Sequence, residues 1–281
     1  MEKGITTDMT TDINANNTAG QRLTIRVGRS SLSFAAIKME SGEGRVVFEP
    51  YTVRSGVSLA ANLREAFKTA DLPTAGYRKA LVLVDAPALL VPVDAYDESS
   101  SAAMYAYTFP HSTATVTVAD ALPDLNAVAV FGVNKDLKLV IDDHFADVKF
   151  GIAMGPVWRY LYRRSFTGMR GKLYGYFHNR KLELFRFGKN RFKFCNTFDV
   201  DNAHDAAYFL LCVWKQLGMD AEGDELFLVG DMPEKEWLVD EMKSYLHRVY
   251  VVNPAGDFNR APVTQIKGMP YDLMTYFVKG R

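Results

Sequence analysis

From position 26 to 31 the chain reads Arg26-Val27-Gly28-Arg29-Ser30-Ser31, two guanidinium groups flanking a glycine turn and followed by two hydroxyls. Arg26 and Arg29 are equipped to hold a phosphate or carboxylate directly, through charge-assisted hydrogen bonds. Gly28 can take positive φ without steric cost, and Ser30 and Ser31 supply short polar groups that hold a turn. The competing reading puts both arginines on the solvent face of a hairpin. Arginine is commonly exposed, and this favours the solvent face.

Elsewhere the reactive side chains lack the spacing that chemistry needs. The five histidines, His111, His144, His178, His204 and His247, show no HxxxH or HxH pair and no cysteine partners, so no metal site is expected. Each reads as a surface or capping residue. Cys195 and Cys212 are too few for a disulfide framework and read as small buried apolar groups. Ser99-Ser100-Ser101 lacks a Gly-x-Ser-x-Gly context and reads as a helix start. Aromatic and basic residues mix over 158–164 and 186–193, a pattern used by single-stranded nucleic-acid readers. Helical spacing gives the first run a plainer account: Trp158, Leu161 and Tyr162 share an inward face, and Arg159, Arg163 and Arg164 meet water near a helix C-terminus.

Composition narrows the classes further. In 281 residues, 33 basic side chains balance 33 acidic ones, so no global field draws in nucleic acid or an anionic membrane. Neither partner is expected. Hydrophobic content of 48% supports a large folded core. No apolar run reaches the ~18 residues that span a bilayer. Residues 1–20 are polar, with no apolar targeting core, which predicts a flexible tail and a cytoplasmic protein.

The elements that must position the Gly28 turn follow from periodicity. Residues 23–27 and 32–37 alternate as two strands, and 45–53 as a third. A helix over 58–71 with Ser58 as N-cap follows, then a continuously apolar strand at 79–84. A short strand at 89–93, a helix at 99–107, an inserted hairpin over 114–131, a helix at 135–143, a strand at 147–152 and a helix at 156–164 complete the first half. From Lys172 the order restarts: strands at 172–177, 181–187 and 191–198, a helix at 204–217, an apolar strand at 225–229, a helix at 234–248, a strand at 250–252 and a closing helix at 271–278.

A doubled β-β-β-α-β-α order opening on Leu-x-Ile-x-Val-Gly-x-Ser-Ser-Leu resembles the actin-like ATPase superfamily, which includes sugar kinases, heat-shock chaperones and pilus and secretion-system assembly proteins. More narrowly, residues 21–280 resemble an uncharacterised bacterial family, a domain of unknown function with an actin-like ATPase fold. The resemblance implies an α/β, duplicated, two-lobed, ribonuclease H-like architecture of mixed sheets flanked by helices. The lobes would span 21–168, including the inserted β-hairpin, and 169–281, after a disordered tail at 1–20.

In active members of that superfamily an Asp two residues before the turn glycine helps hold hydrated magnesium, while the turn cradles phosphate. Gly28, Ser30 and Ser31 match the turn. The Asp position is Arg26, and a guanidinium has no lone pair for a metal. The second hairpin, over 174–180, has no acid, with Gly175 at or beside the acid's position. The glycine pair that lies against adenosine is reduced to Gly230, followed by Asp231. Asp85, after the fourth strand, is the one carboxylate at a water-activating position.

These losses imply a non-catalytic protein that acts through a protein partner and carries no cofactor. The alternative is an ATP-binding enzyme or phosphotransferase with an altered metal site, using ATP and magnesium, in which Asp85 or Asp231 supplies the carboxylate. A third reading is a small-anion sensor at the Arg26/Arg29 turn.

Overall fold

The computed structural model describes residues 20–40, 43–113 and 116–279. All but the last residue of the expected tail over 1–20, the centre of the 40–44 turn and the start of the expected hairpin at 114 lie outside the described residues.

Strands β1 (Arg22–Val27), β2 (Leu32–Glu40) and β3 (Glu43–Tyr51) form an antiparallel meander. Two further strands, β4 (Lys79–Val84) and β8 (Asp147–Ile152), add in parallel, giving the order β3-β2-β1-β4-β8. The second half repeats this plan. Strands β9 (Lys172–His178), β10 (Lys181–Gly188) and β11 (Arg191–Asp199) form the meander, and β12 (Glu225–Gly230) and β13 (Val249–Val251) add in parallel, in the order β11-β10-β9-β12-β13. The mixed sheets and their repeated order agree with the expected architecture.

The expected inserted hairpin forms part of a larger sheet. β6 (Val116–Leu122) and β7 (Ala127–Val133) do pair antiparallel, but β5 (Ala88–Pro92) pairs with the other edge of β7, making a third sheet of order β5-β7-β6. β7 is buried along its whole length, as a central strand must be.

Helix α1 (Leu59–Thr69) begins where Ser58 accepts the Ala61 amide at 3.2 Å, and it buries Leu63, Ala66 and Phe67. It stops two residues before the expected end. Residues Asp71–Thr74 form a separate short helix, α2, whose Asp71 and Leu72 amides are accepted by the Glu49 carboxylate of β3 at 2.9 and 2.8 Å. Helices α3 (Glu98–Thr108) and α4 (Lys135–His144) follow, then α5 (Met154–Ser165). Along α5 the inward face holds as expected, with Trp158, Leu161 and Tyr162 buried. Of its arginines, Arg163 faces water, but Arg159 donates to the Ala121 carbonyl at 2.8 Å and Arg164 pairs with Asp257, so both are partly covered.

The second half continues with α6 (Ala203–Gln216), α7 (Lys235–Tyr245), the short α8 (Pro254–Asp257) and α9 (Tyr271–Lys279). Cys212 is exposed, contrary to expectation, because the i, i+4, i+8 spacing puts it on the outer face of α6 with His204 and Tyr208. Helix α9 returns to the first half: Leu273 and Phe277 pack on Ala35 of β2 and Leu83 of β4. Among the described residues no helix is long and apolar enough to cross a membrane.

Candidate functional site

The carboxyl ends of β1 and β4 and the β9–β10 hairpin converge on one buried cluster of charge. Arg26, near the end of β1, is 5% exposed, which overturns the solvent-face reading for this residue. Alternation along a strand gives Arg26 the same face as Thr24, and α9 covers that position. The Arg26 Nε lies 3.0 and 2.9 Å from the two carboxylate oxygens of Asp272 on α9, and its Nη2 lies 2.7 Å from Oδ2. Burial opposes the charge on Arg26, but Asp272, and more weakly Tyr176 and Asp85, outweigh it and push the guanidinium pKa above its ordinary value.

Asp85 follows β4 directly, its amide donating to the Val27 carbonyl at 2.8 Å. Its side chain is 3% exposed and meets cations on several sides: Lys181 Nζ at 3.3 Å from Oδ1, with His178 Nδ1 at 3.6 Å and Arg26 Nη2 at 3.9 Å from Oδ2. Asn179 adds a hydrogen bond to Oδ2 at 2.8 Å. Burial alone would raise the Asp85 pKa, but His178, Lys181 and Arg26 hold it below the usual carboxylate range.

His178 is 7% exposed, not the surface residue its turn position suggested; the other four histidines are exposed. Its ring lies between two carboxylates, with Nδ1 3.6 Å from Asp85 and Nε2 3.6 Å from Glu183. Both separations exceed hydrogen-bond range, so the attraction is electrostatic. Glu183 is itself buried and accepts from the Thr197 hydroxyl at 2.6 Å. Burial disfavours the imidazolium, yet Asp85 and Glu183 prevail and raise the His178 pKa to about 9. At neutral pH three cations, Arg26, His178 and Lys181, therefore face three carboxylates, Asp85, Glu183 and Asp272.

Matching backbone hydrogen bonds fix the correspondence between the halves. Asp85 donates to Val27, and Asp231 donates to Phe177 at 3.0 Å, so Arg26 corresponds to Tyr176. Gly175, expected at or beside that position, stands one residue earlier, and its neighbours are Leu228, Leu182 and Leu184. The Tyr176 ring is buried, stacks on His178 at 4.7 Å between centroids, and approaches Tyr271 of α9 at 5.6 Å.

The remaining sequence candidates divide. Arg29, Ser30 and Asp231 are exposed, and no ion pair is formed by Arg29 among the described residues. Gly28 does not have positive φ; its small size matters because a Cβ there would lie 2.3 Å from Ser31 Oγ. Gly230 has φ +96°, and a Cβ there would lie 2.0 Å from the Phe177 carbonyl oxygen. Each glycine accommodates the fold itself. Since the obstacle at Gly28 is a rotatable hydroxyl, Gly28→Ala is expected to cost about 1 kcal/mol or less in urea unfolding. A loss of several kcal/mol would show that the turn backbone is held more tightly than this contact implies.

Sequence reading missed Asp272, Glu183 and Lys181 as members of the cluster. One signal was available: Asp272 interrupts the otherwise apolar run Tyr271-Asp272-Leu273-Met274. Among the described residues no three His, Cys, Asp or Glu side chains are grouped to hold a metal ion.

Two sheets of identical order meeting at the ends of β1, β4 and β9 place the chain in the actin-like ATPase fold class. A protein with this fold and unknown function from Bacteroides thetaiotaomicron VPI-5482 superposes with a TM-score of 0.77 at 23% identity, over 94% of this chain and 100% of that one. A chain of the PilM-PilN type IV pilus biogenesis complex superposes at 0.56 with 11% identity, over 92% and 97%. The chain belongs to the family of proteins of unknown function DUF3822, whose model matches residues 10–249. No curated protein matches it in sequence.

Proposed function

We propose that the protein is a non-catalytic member of the actin-like fold class that works through protein contacts, with two lobes dividing near residue 168. The observation that carries this reading is the Arg26–Asp272 pair. The superfamily's metal-holding carboxylate is replaced by a buried cation, and that cation is already paired with a carboxylate from α9. Hydrated magnesium does not fit beside a guanidinium that offers no lone pair and repels it. The Tyr176 ring fills the corresponding position of the second half, where backbone would have to approach phosphate.

Asp85, the carboxylate of the enzyme alternative, is held by three cations and an amide, which leaves it a structural anchor and a poor base. The anion-sensor alternative loses support for the same reason: Arg26 is occupied, and Arg29 is exposed, with no ion pair among the described residues. A fold neighbour that belongs to a two-protein pilus biogenesis complex makes a scaffold role natural for this architecture. Titration calorimetry with ATP and magnesium tests the proposal. The expected result is no magnesium-dependent heat at millimolar nucleotide, and micromolar binding that requires magnesium would overturn it.

A further inference from the structure

A second site lies far from that cluster. β9 runs from Lys172 to His178, so its amino end sits about 20 Å along the strand from the charged centre. There the C-terminus of α5, the loop that follows it and the β10–β11 turn border a cavity of about 280 Å³ that is open to solvent. Arg170, Arg186, Lys189 and Lys193 line it, together with Phe166 and Met169. In a chain whose charges cancel overall, this convergence is local.

Three features show that the cavity is built rather than incidental. The β10–β11 pairing shifts register between Arg186 and Phe187, so that Phe187 faces Phe192 while Arg186 faces Phe194, and Lys193 is the extra residue. A bulge re-aims the side chain it carries. Lys193 lies across Gly188, where a Cβ would stand 3.0 Å from Lys193 Cε, so any larger residue at 188 would displace it.

The turn is also fixed in place. Tyr162 of α5 donates to Asn190 Oδ1 at 2.9 Å and accepts the Asn190 amide at 3.1 Å. Finally, the charges are unequally compensated. Arg170 meets Glu225 at 3.5 Å and Arg186 approaches the Leu217 carbonyl at 3.5 Å, but the Lys189 and Lys193 ammonium groups have no ion pair or hydrogen bond among the described residues. Phe166 and Met169 are 58% and 104% exposed, forming an apolar rim beside the cations.

We propose that this cavity binds the phosphate group of a small phosphorylated ligand, with Lys189 and Lys193 as its principal anchors and Arg170 and Arg186 completing the charge. Two ammonium groups without partners among the described residues, beside two guanidinium forks, suit a multiply charged tetrahedral anion better than a single carboxylate. The volume suits a small molecule.

Inorganic pyrophosphate is the probe, followed by calorimetry and thermal unfolding in EDTA, with inorganic phosphate, ATP and citrate in parallel. The expected result is saturable pyrophosphate binding, a rise of roughly 3 °C at tenfold excess over Kd, and about 100-fold weaker binding in Lys189→Ser/Lys193→Ser. Both lysines are exposed, so the double variant folds, and Arg29→Ala serves as the distant charge control. Equal binding by wild type and double variant, absence of binding, or citrate binding as tight as pyrophosphate each overturns the proposal. Tighter binding of ATP than of phosphate or pyrophosphate in EDTA, lost in the double variant, identifies a nucleotide as the phosphate's source and leaves the non-catalytic reading intact. ATP binding that needs magnesium and survives the double variant overturns that reading, while the pyrophosphate arm in EDTA still decides for or against this cavity.

Discussion

Asp272→Ala is expected to destabilise the protein by about 3–5 kcal/mol, because it leaves the Arg26 guanidinium buried without its carboxylate. Arg26 is 5% exposed, and water cannot replace three contacts of 2.7–3.0 Å without opening the packing of α9 on the first sheet. Arg26→Met is expected to cost less than Asp272→Ala, since Asp272 at the first turn of α9 is still favoured by the helix dipole. The double variant Arg26→Met/Asp272→Leu is expected to recover most of the loss, because replacing both members of a buried pair by apolar groups is often close to neutral. Equilibrium urea unfolding of the two single variants and the double forms a cycle that isolates the pair. Additive losses would show that Arg26 and Asp272 act independently and would remove the pair from the account of the cluster.

The second large effect depends on pH. His178 has a folded pKa of about 9 against about 6.5 in the unfolded chain. Its stabilisation is therefore complete below pH 6.5 and is lost as pH rises through 9, by about 3 kcal/mol. The loss has a simple electrostatic cause: neutralising the ring leaves three buried carboxylates facing two cations. Asp85 acts at the opposite limit. Its depressed pKa contributes stability that is present above the ordinary carboxylate range and lost as pH falls below it. Maximum stability is expected between about pH 4 and 6.5. In His178→Gln the alkaline limb should flatten, while the variant is less stable than wild type at pH 6. Parallel curves for the two proteins from pH 6.5 to 9 would show that His178 does not carry the dependence.

Much of the architecture was legible because it is written in short-range pattern. The alternation in Leu23 to Val27, the apolar run from Ala80 to Val84 and the turn read over His178-Asn179-Arg180, which tightens to Asn179-Arg180 because His178 pairs with Lys181, each specify a local conformation, and the halves repeat because these patterns repeat. The Asn179 and Arg180 φ values of 48° and 60° are those a two-residue hairpin requires. The third sheet was partly hidden. Nothing in the spacing of Ala88 to Pro92 says that this strand pairs with β7, about 40 residues later.

The charged cluster was half legible. Replacement of an expected acid by Arg26 was plain from the residue type, but the fate of that charge depended on α9, which lies 246 positions away in the chain. Frequencies for isolated arginines describe surfaces, and they fail where a distant element supplies a partner. His178 was misread for a similar reason. A hairpin turn usually faces water, but this one points into the other half, against Asp85.

The reach of α9 back to β1 also bears on biosynthesis. A ribosome must add 246 residues after Arg26 before its carboxylate exists, and Leu273 and Phe277 arrive as late to cover Ala35 and Leu83. Until then a nascent first sheet carries an unneutralised guanidinium and an uncovered apolar surface, conditions that invite chaperone capture. Completion of the first half thus waits on a segment synthesised after nearly all of the second half.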